Sequence, residues 1–356
     1  MTLARIGQPD DEFAHVSAQL LEVLDNWQRA FPLVPQPFSL IGRAAGLSEG
    51  DLLLGLAELQ RTGVLGRVGA TIRPNTVGVS MLAAMEVPPG RLEEVAHIVN
   101  AEAGVNHNYE REHAINLWFV IAAPDRPALI ASLDRIRLAS GLDILELPLE
   151  RAYFIDLGFP LGGRGGAEAN QRAGVGHPAY DGQPSLAQQI DARDRRLLAA
   201  LERGLMLVPH PYLALGDEVG LSEAQVIERI IGLIQTGIIT RFGAIVRHRR
   251  LGYRANAMVV FDVDDARVDA LGERFAREEF VTLCYRRPRR GVRWPYNLFC
   301  MIHGIERARV LEQAQHLART GGLDQSSLAV LFSQRCFLQR GTRIAHNAEI
   351  QREAAQ

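Results

Sequence analysis

The chain is written twice. Residues 33–73, LVPQPFSLIGRAAGLSEGDLLLGLAELQRTGVLGRVGATIR, return at 207–247 as LVPHPYLALGDEVGLSEAQVIERIIGLIQTGIITRFGAIVR, gapless at an offset of 174. Weaker pairs continue downstream with small insertions: Tyr109 and Arg111 answer Tyr285 and Arg287, INLWFV answers YNLFCM, and RAYF answers RCFL. Two homologous units on one chain are expected to pack as a pseudo-twofold pair, as a symmetric dimer would after fusion. Between them, residues 158–185 are rich in glycine and lack apolar periodicity, which reads as a flexible linker.

Each unit divides again. HPYLALGDEVG and LSEAQVIERIIGLIQTG give a helix, a glycine turn and a helix capped by Ser222, a helix-turn-helix; GIITRFGAIVR then reads as a two-stranded wing around Gly243. After Gly252 the pattern runs strand, helix, strand, strand, helix, strand, the ferredoxin-like order, and the first unit follows the same course. The expected fold is α+β: helix-turn-helix at 14–76 and 186–250, ferredoxin-like βαββαβ domains at 77–157 and 251–345.

With 47% hydrophobic residues, 22% charged and a formal net charge of −2, the composition argues against a chain that coats nucleic acid or an anionic membrane. No apolar run approaches the ~18 residues that span a bilayer. The first residues lack the order of a signal peptide. Cys284, Cys300 and Cys336 have neither metal spacing nor disulfide logic, so a cytoplasmic location is expected. DNA reading is disfavoured: the second helix of the first motif carries Glu49, Asp51 and Glu58 against Arg61, and its counterpart carries Glu223 and Glu228 against Arg229.

Basic and aromatic residues gather elsewhere. Arg67 and Arg73 match Arg241 and Arg247, the latter followed by His248, Arg249 and Arg250. The stretch YRRPRRGVRWPYN interleaves Arg286, Arg287, Arg289, Arg290 and Arg293 with Tyr285, Trp294 and Tyr296. Guanidinium forks and flat rings suit a planar polyanion, and single-stranded nucleic acid meets the same description. In VNHNYEREHAINLWFV a period of two puts His107, Tyr109, Arg111 and His113 on one strand face, able to line a polar cavity between the units. Two imidazoles sharing that face with a cation suggest proton transfer near neutral pH.

The architecture resembles the Lrp/AsnC regulators. With HNYEREHAINLWF in one unit and CYRRPRRGVRWPYNLFCMIHG and RFGAIVRHRRLGYRANAM in the other, the chain resembles the siroheme decarboxylase family, its two related subunits fused. That resemblance implies loss of two acetate carboxyls from siroheme on the route to haem d1 or haem. It implies a tetrapyrrole substrate carrying its own iron, no organic cofactor, and other decarboxylase subunits or a further homodimer as partners. Arg111, Arg287, Arg73 and Arg247 would clamp carboxylates, and His107 or His113 would donate the proton with Tyr109 orienting. Leu117, Trp118 and Met258 would form an apolar wall, Tyr285, Trp294 and Tyr296 would bind the macrocycle, and His248 could ligate its iron. Leu283 stands where the first unit has His107, so one competent pocket is expected, built on the first unit's strand with Arg247 and His248 from the second. The alternatives are a DNA-binding regulator with a small-molecule ligand and a tetrapyrrole carrier without turnover.

Overall fold

A computed structural model describes residues 17–155, 158, 190–247 and 253–341. The expected linker and residues 248–250 lie outside the described residues, residue 158 excepted. The first unit runs α1 (Ala18–Asn26), α2 (Pro37–Ala45), α3 (Glu49–Arg61), β1 (Leu65–Ile72), β2 (Val79–Met85), α4 (Leu92–Ala101), β3 (Val105–Arg111), β4 (Leu117–Ala123), α5 (Arg126–Ser140), β5 (Leu145–Pro148) and β6 (Arg151–Ile155). The second runs α6 (Ala192–Arg203), α7 (Pro211–Val219), α8 (Glu223–Gln235), β7 (Ile239–Val246), β8 (Ala255–Phe261), α9 (Val268–Phe275), β9 (Val281–Arg286), β10 (Leu298–Gly304), α10 (Arg307–Gly321) and β11 (Leu328–Gln339).

Local chemistry sets the helix-turn-helix ends in both copies. Proline opens α2 and α7, where its missing N–H costs nothing, and left-handed glycines close them, Gly46 at φ 69° and Gly220 at φ 71°. Ser48 and Ser222 cap α3 and α8 by accepting the N–H of the residue three positions on. The apolar faces of all six helices converge on one core shared by both units, in which Leu52, Phe38 and Leu65 meet Val226, Tyr212 and Phe242.

The expected wing around Gly243 does not form. Ile239–Val246 is one strand, and it pairs antiparallel with Leu65–Ile72 of the other unit, Gly243 opposite Gly69. These glycines answer to close approach, not to a turn. A Cβ on Gly243 would lie 2.4 Å from the Gln28 carbonyl oxygen and 2.5 Å from that of Trp27; one on Gly69 would lie 2.9 Å from that of Leu201. The segments that crowd them are the chain ends leaving α1 and α6, which hydrogen-bond there: Ala244 N–H to Trp27 O at 2.8 Å and Leu205 N–H to Val68 O at 2.7 Å.

The ferredoxin-like strands form a nine-strand order, β5-β2-β4-β3-β11-β8-β10-β9-β6. Each unit contributes the order of its class, and each last strand crosses over: β11 pairs with β8 of its own unit and then with β3 of the other, while β6 pairs with β9. Helices cover one face of each unit's sheet, over Phe119 and Leu133 in the first and Phe261 and Phe275 in the second. The opposite faces meet one another through Leu82, Trp118, Leu147, Met258, Phe299 and Leu331. Across the exchanged strands, Arg151 pairs with Asp269 and Glu273, and Arg335 with Glu93 and Glu110.

Exchanged strands leave neither unit a complete sheet or core of its own. Residues 1–157 and 186–356 produced as two separate chains are therefore expected to co-purify one to one and stay together through gel filtration. Two independently folded monomers would contradict this topology.

Candidate functional site

Strand β3 has a polar face, but a shorter one than its alternation suggests. A bulge at Asn106 shifts its register against β4, after which His107 faces Val120 and Tyr109 faces Trp118. The rings of His107 and Tyr109 stack at 6.2 Å. The strand ends at Arg111, where the His113 N–H folds back onto the Arg111 carbonyl at 2.9 Å. His113 thus lies in the following loop and leaves the His107 face: its Nδ1 accepts the Ile115 N–H at 3.0 Å, and its ring edge meets Trp294 at 5.5 Å.

One cavity between the units collects polar groups from both. His107 and Arg73 reach it from the first unit; Tyr285, Arg287 and Leu283 come from β9 and the residue after it. Arg67 and Glu202, at the end of α6, complete its charged lining, which holds three guanidiniums against one carboxylate. The cavity measures about 270 Å³. His107 is so deeply set that burial lowers its pKa to about 4, leaving it neutral at pH 7. Burial also lowers the pKa of Arg287, whose guanidinium lies 4.7 Å from the Tyr285 ring centre.

The arginine pair that the duplication picks out has a second task. Arg111 donates to the Leu331 carbonyl on β11 at 3.2 Å and Arg287 to that of Leu147 on β5, so each reaches a strand of the other unit. Both are buried, at 8% and 9% exposure. These are inter-unit latches by geometry, and of the two only Arg287 lines the cavity.

Other expected site residues lie apart from it. Tyr109 is half-buried beside Arg111, 5.8 Å from ring centre to guanidinium, outside the cavity lining. Trp294 is fully buried between the sheets against His113, Trp118 and Tyr296, and Met258 is in the same core. The expected apolar wall is split: Trp118 and Met258 face the other unit, whereas Leu117 faces the helices, because alternate strand positions point to opposite sides. Arg247 is exposed at the end of β7, its N–H on the Val64 carbonyl at 2.9 Å, and does not line the cavity. His248 lies outside the described residues. Of the expected site residues, the cavity thus brings together His107, Arg73, Tyr285 and Arg287, and not Tyr109, Arg111 or Arg247.

The basic run 286–293 is largely matched by acids and carbonyls. Arg286 pairs with Glu150 at 3.1 Å, Arg289 with Asp262 at 2.8 Å and Asp265 at 2.7 Å, and Arg290 donates to the Glu146 carbonyl at 2.8 Å. On the helix-turn-helix, Arg61 pairs with Glu58 and Arg229 with Asp191 and Asp194. Among the described residues no group of His, Cys, Asp and Glu could hold a metal ion, and no helix is long and apolar enough to cross a membrane.

Sequence reasoning did not assign Arg67 or Glu202 to the site. A signal for Glu202 existed: it follows Leu197, Leu198 and Leu201 on the buried stripe of α6, where a carboxylate is out of place.

Fold and cavity together define a class: a duplicated AsnC-like protein with a cavity between its own halves. Residues 76–153 and 250–338 match the family described as AsnC-like ligand binding domain, and residues 21–65 and 194–239 the Siroheme decarboxylase NirDL-like HTH domain. The chain is 45% identical over 328 residues to the siroheme decarboxylase NirDL subunit of Paracoccus denitrificans, covering 92% of this chain and 98% of that one. It is 32% identical to the siroheme decarboxylase of Hydrogenobacter thermophilus, over 89% and 92% of the two chains. The crystal structure of a siroheme decarboxylase NirDL in complex with an iron-uroporphyrin III analogue superposes with a TM-score of 0.64 at 26% identity, covering 97% of this chain and 99% of that one. The chain belongs to the siroheme decarboxylase family, in its fused NirDL form.

Proposed function

We propose that the chain decarboxylates siroheme without an oxidant, removing two acetate carboxyls to give didecarboxysiroheme on the route to haem d1. The observation that carries this reading is one cavity, built by both units, in which His107 stands among Arg73, Arg287 and Tyr285. The chemistry is R–CH2–COO⁻ plus a proton giving R–CH3 and carbon dioxide. Protonation of the macrocycle beside the acetate lets the electrons of the breaking C–C bond flow into the ring; protonation of the exocyclic carbon then completes the methyl as the ring proton is released, one proton being consumed in all. So written, the reaction is that of a carboxy-lyase and needs no organic cofactor; the iron arrives with the substrate.

Arg73 and Arg287 hold neighbouring carboxylates, which fixes the reacting acetate in place. His107 is the proton donor. Burial alone holds it neutral, with a pKa of about 4, and carboxylates docking beside it favour the imidazolium, so the ligand charges its own acid. Leu283 supplies an apolar contact where a second imidazole would otherwise face the ligand. At about 270 Å³ the cavity is smaller than most ligand sites, so part of the disc stays outside it. The proposal sets this reaction in the cytoplasm, and the separate NirD, NirL and NirH subunits among the relatives make such subunits its candidate partners.

Incubated with siroheme under anaerobic conditions, the protein is expected to yield two successive mass losses, each of one carbon dioxide. A bound, spectrally shifted but intact siroheme would replace the enzyme with a carrier.

A further inference from the structure

Decarboxylation as written moves protons at two places on the ligand, one in the ring and one on the carbon outside it, and His107 serves the first. A second proton-bearing group faces the same cavity. Leu283, Tyr285 and Arg287 follow one another at a period of two along β9 and the residue after it, and all three line the cavity. They grade from apolar to cationic, with the phenol in the middle. His107 enters from β3 of the first unit, so imidazole and phenol come from different units. Among the described residues, the one other acid in the lining is Glu202, at the end of α6.

The surroundings of Tyr285 suit a phenol that gives a proton to carbon. Burial pushes its pKa up, so the proton is held until it is needed. The guanidiniums of Arg287 and Arg111 oppose that shift, so the phenolate left behind would stand beside cations. Arg287 lies 4.7 Å from the ring centre, and Phe299 packs against the ring at 6.1 Å, which together set its orientation.

The duplication supplies an internal comparison. Tyr109 is the counterpart of Tyr285, two residues before the other latch arginine, with the Arg111 guanidinium 5.8 Å from its ring centre. Tyr109 does not line the cavity. Both phenols therefore stand beside a latch, and Tyr285 alone of the two also meets the cavity.

We infer that Tyr285 is a further catalytic residue, the acid that protonates the exocyclic carbon. His107 gives its proton to the ring, the C–C bond breaks, carbon dioxide leaves, and the bonding pair forms a double bond between the ring and the exocyclic carbon. The Tyr285 O–H then adds its proton to that carbon, the ring proton returns to His107, and the phenolate takes a proton from solvent. One proton is consumed for each carboxyl lost. With Arg287 on the neighbouring carboxylate, the phenol next to it on the same strand face is beside the arm that reacts. The inference rests on the siroheme reading.

Tyr285→Phe and Tyr109→Phe in the full chain test it, with anaerobic single turnover of siroheme followed by mass and binding of iron-uroporphyrin III followed by absorbance. Tyr285→Phe is expected to bind within about fivefold of the wild type, as loss of one hydrogen bond allows, and to turn over on the order of 10²-fold more slowly or worse. Tyr109→Phe is expected to keep the wild-type rate. Equal loss of turnover in the two variants would assign both phenols to the latches and overturn the inference. So would wild-type turnover by Tyr285→Phe, or a loss of affinity with the rate at saturation unchanged; each of these results leaves the siroheme reading standing. Wild-type protein that releases no carbon dioxide from siroheme overturns both.

Discussion

His107→Ala is expected to bind siroheme and fail to decarboxylate it, with turnover lowered by about 10²- to 10⁴-fold, the usual contribution of a positioned acid. Single-turnover kinetics with a parallel binding titration separates the two effects. The expectation comes from where the imidazole sits: inside the cavity, between arginines of both units, with burial holding it neutral. The same burial gives a pH signature. A histidine whose folded pKa is about 4 against an ordinary 6.5 leaves the unfolded chain binding more protons between those values, so its contribution to stability falls as pH drops through that window. Ligand binding at pH 7 is then expected to take up a proton, read as a buffer-dependent heat in calorimetry, and His107→Ala is expected to abolish that uptake. Turnover by His107→Ala at the wild-type rate would remove the residue from the chemistry.

Gly243→Ala is expected to be the most damaging single methyl in the helix-turn-helix half. The added carbon would overlap backbone oxygens of Trp27 and Gln28 at 2.5 and 2.4 Å, and backbone cannot rotate aside as a side chain can. A loss of roughly 3 kcal/mol or more in denaturant unfolding fits overpacking of this kind. Gly232→Ala is the control. That glycine is on α8 with nothing within 4 Å of its missing Cβ, so alanine there is expected to stabilise by up to about 1 kcal/mol. Equal effects at the two sites would mean that the close approach at Gly243 is not what holds the paired strands.

The contrast between these glycines also marks what a linear reading reaches. Helix caps at Ser48 and Ser222 and the prolines at 37 and 211 are local signals, and the elements they open are present in both copies. The doubled α+β architecture followed from patterns of that kind together with the repeat. Gly243 misled because a glycine between strand-forming residues is compatible with a turn or with a close neighbour, and only the neighbour's identity decides. Strand partners are equally silent: nothing in the sequence of β7 says that its ladder lies in the other unit.

For the candidate site, residue types were legible and groupings were not. His107, Arg73, Tyr285 and Arg287 meet in one cavity, whereas His113 was carried off the strand face by a turn at Arg111 and Trp294 was absorbed into the core between the sheets. The arginine-rich loop looked like a polyanion site because its acids, Glu150, Asp262 and Asp265, are remote in sequence. Glu202 escaped notice because the cavity it lines is completed by residues of the other copy.

Crossing of the terminal strands has an evolutionary reading. Free halves of an ancestral homodimer carry every substitution twice, so an imidazole lost from one wall is lost from both. Here covalent fusion guarantees that each product of translation contains one copy of either kind, and the interlocked edges keep them in a fixed orientation. Drift at one position, such as leucine at 283 opposite histidine at 107, then yields a polarised chamber in place of an inactive assembly.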